Sequence, residues 1–114
     1  MRAPTSDRPT HFVVNPAKIV GYLLNLHHAL GGPKARFFLA FGFSVSDPET
    51  LGRAILDHAV PDHFAGRVVG KAGDIRLVYA GPIRTPDGRN PRIRTVWLAE
   101  AHNTARFITA YPDR

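Results

Sequence analysis

The sequence changes its period once, and that single change limits the folds open to it. Before Pro61 the apolar side chains recur at helical spacing, and after it they alternate as they do in strands. Helices followed by strands argue against alternating βαβ units. They predict an α+β layer fold in which N-terminal helices pack on one face of a C-terminal four-stranded antiparallel sheet. The 114 residues, 44% of them hydrophobic, suffice for one modest core. Residues 1–10, MRAPTSDRPT, read as a flexible polar tail, because a signal peptide needs an apolar run of about 7 to 15 residues. Residues 11–114 then form a single domain.

Within the helical half, Asn15 is a cap and Pro16 a first helical residue, where the missing N–H costs nothing. Ile19, Val20, Leu23 and Leu24 give this helix its apolar face, and it ends near Asn25. A second helix starts at Pro33, supplies Phe37, Phe38 and Phe41 to the core, and stops at Gly42. Ser46 and Glu49 have the spacing of a capping box ahead of a third helix, with Leu51, Ala54, Ile55 and His58 on one side and Pro61 at its end. GRVVGKAGDIRLVYAGPI predicts two strands around Ala72–Asp74, and TPDGRNP is a strong turn. RIRTVWLA and ARFITAY are two more strands, joined through EAHNT.

Fifteen Lys and Arg against nine Asp and Glu give a net charge of +6, which concentrates anions such as nucleic acid around the chain and equally suits a solvated surface. With no cysteine there are no disulfides, thiolate zinc sites or thiol catalysis, and a reducing cytoplasm fits best. No run approaches the roughly 18 apolar residues of a membrane helix. The six histidines show no metal-ligand spacing, and no phosphate-loop or dinucleotide glycine pattern is present, so neither metal nor cofactor is expected.

The stretch LHHALGGPKAR carries the first candidate chemistry. Gly31 and Gly32 let the backbone approach a ligand, and the first amides of the following helix lack helical partners. Lys34 and Arg36 in the first turn oppose the helix dipole, which is poor for helix stability and good for holding phosphate. His28 lies just ahead and can exchange a proton with an oxygen on that phosphate. In the last strand, Phe107, Thr109 and Tyr111 are two apart and should share one face, placing a hydroxyl beside a phenol. Arg94, with Arg92 on the same face of the neighbouring strand, is a further phosphate-gripping cation.

These segments, GGPKARFF, RIRTVW and above all ITAYP, resemble two nested groups. The closer is an uncharacterised family of small bacterial proteins, sometimes labelled adhesin-like, that pairs H-x5-KAR-x-F with a closing R-x-x-T-x-Y. The wider is the barnase, EndoU, colicin and RelE class of ribonuclease toxins, notably the ribonuclease A-like contact-dependent inhibition toxins, whose last strand also reads TAYP. The resemblance implies a metal-independent endoribonuclease acting on RNA, tRNA among the candidates, and inhibited by an acidic antitoxin or immunity protein. It assigns His28 as base, Lys34 with Arg36 or Arg94 as phosphate cations, and Thr109 with Tyr111 as transition-state donors. His27 competes with His28 for its role, and Arg36 with Lys34. In a RelE-like variant, lysines and a tyrosine act with little help from histidine. The competing expectation is a catalytically silent module that binds nucleic acid or an acidic protein on the same basic face.

Overall fold

The computed structural model describes residues 9–113, so the expected tail lies outside the described residues except for its last two positions. The chain order is β1 (His11–Val13), α1 (Pro16–Lys18) widening into a π-helical turn (Ile19–Leu23), α2 (Gly32–Ala40), α3 (Pro48–His58), a 3₁₀ turn (Pro61–His63), β2 (Phe64–Val69), β3 (Ile75–Pro82), β4 (Arg92–Glu100) and β5 (Thr104–Pro112). Asn15 caps α1 as expected, its Oδ1 accepting the Ala17 N–H at 2.9 Å. The wide π-turn buries Ile19, Leu23 and Leu24 but leaves Val20 half-exposed. No described helix is long and apolar enough to cross a membrane.

The sheet has five strands, not four, and is mixed. Its order is β1-β5-β4-β3-β2, with β1 running parallel to β5 and every other pair antiparallel. The extra strand precedes the helices, so the helical half is not wholly N-terminal to the sheet. Its Phe12 reaches across the buried face to stand edge-on to Trp97 and Tyr79. The capping box also gives way. Asp47 is the residue before α3 and accepts the Thr50 hydroxyl at 2.6 Å, while Ser46 Oγ bonds to Ser44 Oγ. The stripe of Leu51, Ala54, Ile55 and His58 is buried as its spacing requires.

One core joins the two halves: Ile19, Leu23, Phe38, Leu51 and Ile55 from the helices meet Leu77, Tyr79, Ile93, Trp97 and Phe107 from the sheet. Each such side chain contributes roughly 1.5–3 kcal/mol on burial. Through this core runs a polar chain with every member satisfied. Trp97 Nε1–H donates to Thr95 Oγ1, the Thr95 hydroxyl donates to His58 Nδ1, and His58 Nε2–H donates to the Gly81 carbonyl, at 2.9, 2.9 and 3.0 Å. The direction follows from its ends, since an indole only donates and a carbonyl only accepts.

Burial lowers the His58 pKa to about 4, against the opposing pull of the Gly81 carbonyl. The unfolded chain takes up this proton below about pH 6.5 and the folded one does not. Stability is therefore complete above pH 6.5 and is lost as the pH falls towards 4, by up to roughly 3 kcal/mol. Asp74, Asp87 and Asp113 carry hydrogen bonds from Arg76, Arg89 and Arg94 that hold them below the usual carboxylate value, so they titrate beneath that window. Urea midpoints measured at pH 7 and pH 4.5 should show the loss, and a His58→Phe variant, less stable at pH 7, should lack it.

Candidate functional site

Strand β5 changes phase part-way along. Val96 pairs with Thr109 and Trp97 with Phe107, so Ile108 is an extra residue without a partner and forms a bulge. Phe107 thus points into the core and is fully buried, whereas Thr109 and Tyr111 turn to the opposite side. The expectation that all three share a face is overturned by this one residue. Because β1 pairs only with Thr104–Arg106, the bulged half of β5 has β4 on one side and no strand on the other. Tyr22 of the π-turn reaches that open edge instead.

Between that half-strand and the helices lies an open groove of about 810 Å³, lined among others by Lys18, Tyr22, His28, Lys34, Thr109 and Tyr111. Four of the residues expected to act together, His28, Lys34, Thr109 and Tyr111, come from a loop, a helix and a strand to meet here. Tyr22, which sequence reasoning passed over, is their centre. Its hydroxyl bonds to Thr109 Oγ1 at 2.9 Å, its ring meets the His28 ring edge-on at 5.0 Å, and Lys18 Nζ and Lys34 Nζ lie 5.2 and 5.8 Å from its centroid. Lys18 and Tyr22 are four apart, a spacing that puts both on one flank of a helix and was the signal available beforehand.

The remaining candidates lie elsewhere. Arg36 is exposed and does not line the groove, since residues two apart on a helix do not face the same way. His27 is likewise exposed and outside it. Arg94 stands opposite Tyr111 in the sheet register, but its Nε–H donates to Asp113 Oδ1 at 3.0 Å, and Arg92 reaches the same carboxylate at 3.4 Å. A phosphate at Arg94 would compete with that ion pair.

Gly31 and Gly32 serve close packing. A Cβ at Gly31 would fall 2.6 Å from the Tyr22 carbonyl oxygen and 2.7 Å from its ring, and one at Gly32 would fall 2.9 Å from the Leu26 carbonyl oxygen. Among the first amides of α2, Gly32 N–H donates to the His28 carbonyl and Ala35 N–H to the Gly31 carbonyl, both at 2.8 Å, and in the loop ahead of it Leu30 N–H and Gly31 N–H donate to His28 Nδ1 at 3.0 and 2.9 Å.

Among the described residues the lining contains no carboxylate and neither Lys18 nor Lys34 has an acidic partner, whereas Arg76, Arg89, Arg92, Arg94 and Arg106 all do. The groove is therefore suited to an anion. Among the described residues no cluster of three or more His, Asp or Glu is gathered for a metal ion.

A Gly31→Ala substitution should destabilise the fold by roughly 1–3 kcal/mol through overpacking against Tyr22, read as a lowered thermal midpoint. Tyr22→Phe and Thr109→Val, combined in a double-mutant cycle, should reveal a coupling of about 1 kcal/mol. Additive effects would show that the bond contributes nothing.

The fold is shared with one chain of a contact-dependent growth inhibition toxin–immunity protein complex from Klebsiella pneumoniae 342. The TM-score is 0.69 at 17% identity, covering 89% of this chain and 99% of that one. Among curated proteins none matches. A family model does match, over residues 7–114, and the chain belongs to that family, described as Domain of unknown function (DUF6883).

Proposed function

We propose that this domain is the toxin of a toxin–immunity pair and that it cleaves RNA in the groove. The observation that carries the reading is the convergence of two ammonium groups, an imidazole and three hydroxyls on one groove whose described lining holds no carboxylate. Anchored between Lys18 and Lys34, a phosphodiester would have its charge neutralised. The Tyr22–Thr109 hydroxyl pair and Tyr111 would donate to oxygens that gain charge as phosphorus becomes five-coordinate. The ribose 2′-oxygen would bond to phosphorus as the P–O5′ bond breaks, leaving a 2′,3′-cyclic phosphate and a 5′-hydroxyl. One proton leaves the 2′-hydroxyl and one reaches O5′, exchanged with titratable side chains of the groove.

The partnership reading draws on two supports. The net charge of +6 would attract an acidic protein, and the structural neighbour comes from a toxin–immunity complex. Fold alone does not carry function, so the groove residues decide the matter.

The purified domain, freed of any immunity protein, should cleave total RNA or tRNA in EDTA. A strand with 2′-deoxyribose at the cut site should resist. Lys34→Ala and Thr109→Val should each slow cleavage about 100-fold with the fold intact by circular dichroism. RNA that is bound in a salt-dependent way but never cut would identify a binding module instead.

A further inference from the structure

We infer that His28 serves the groove as a neutral hydrogen-bond donor through Nε2–H, aimed at a phosphate oxygen, and that it exchanges no proton in the reaction. The nature of the ligand rests on the ribonuclease reading, whereas the state of the ring rests on geometry alone.

Two backbone amides, Leu30 N–H and Gly31 N–H, converge on Nδ1 at 3.0 and 2.9 Å. An N–H cannot donate to another N–H, so Nδ1 offers its lone pair and the single proton of the neutral ring sits on Nε2. The imidazole ties down the turn that leads into α2, accepting from the loop amides two and three residues on as an Asn or Ser would. Tyr22, edge-on to the ring at 5.0 Å and itself wedged against Gly31, holds that orientation.

With its proton on Nε2 and the Nδ1 lone pair taken by two amides, the ring has no free lone pair to accept a proton from a ribose hydroxyl. Moving the proton to Nδ1 would strip both amides of their acceptor at the entrance to α2. Giving up the Nε2 proton would leave an imidazolate. Donation without transfer is the role that remains, and it needs a ligand oxygen, which a phosphate supplies. The other titratable groups lining the groove are Lys18 and Tyr22 from the first helical segment, Lys34 from α2 and Tyr111 from β5. Proton traffic then belongs to these lysines and tyrosines.

His28→Asn separates the two tasks of this side chain, because Asn can accept the same two amides but is too short to reach into the groove. The variant should keep its thermal midpoint within a few degrees. Cleavage should fall about 10- to 100-fold, as expected for a lost bond to a charged group, and the residual pH–rate profile should keep the wild-type shape. Long-range 1H–15N NMR of the wild-type ring should show the proton on Nε2, and that signal should move when a non-cleavable 2′-deoxy oligonucleotide is added. A proton found on Nδ1, or an acid limb that disappears in His28→Asn, would overturn the inference. The NMR result does not depend on turnover, so an Nε2–H ring that responds to the oligonucleotide in a protein that cuts no RNA would overturn only the ribonuclease reading.

Discussion

The junction between helices and sheet depends on His58. As the last residue of α3 it is bonded on one side to Thr95 of β4 and on the other to Gly81 of β3. An apolar side chain there would bury as well, but would not fix the position of the helix along the strands. The three-bond chain allows one depth and one rotation, since each polar group left unpaired would cost about 1–3 kcal/mol. His63 closes the corner: its Nδ1–H donates to the His58 carbonyl at 2.7 Å, and its ring lies where a side chain on Gly81 would stand. With α3 fixed, the neighbouring helices share a core whose far wall is Trp97 and Phe107.

On that framework the groove is set by two irregularities. The bulge at Ile108 lets one strand give its first half to the core and its second half to the ligand side. Across the groove from the half-strand that β1 leaves unpaired, α1 and the π-turn present Lys18 and Tyr22. At the other end of α2, Arg89 from the β3–β4 loop donates to the Ala40 carbonyl at 2.7 Å and lies 4.3 Å over the Phe41 ring. The helix carrying Lys34 is therefore tied at both termini.

Much of this was legible from residue chemistry. Asn15-Pro16, Gly42, Pro61 and the TPDGRNP turn mark their boundaries because each acts locally, through a cap, a positive φ or a missing donor. What was not legible depends on distant partners. β1 is three residues long and exists only by pairing with β5, and no local pattern announces that. The bulge hides inside an alternation that looks regular, so Phe107 seemed to keep company with Thr109. Asp47, not Ser46, is the residue before α3, and its carboxylate takes the Thr50 hydroxyl and no helix amide. The histidine and lysine of the groove were visible as a cluster, but the task of the histidine ring depends on two amides whose direction only the folded loop fixes.

The hydrogen bond at the centre of the groove joins residues 87 positions apart in the chain, and β1 waits still longer for its strand partner. Contacts of such separation must overcome loop-closure entropy before they return anything, and they form late in folding. A nascent chain holding the helices and the first three antiparallel strands would possess Lys18, Tyr22, His28 and Lys34 but no wall against which to arrange them. Its chemistry would begin only when the last strand arrives.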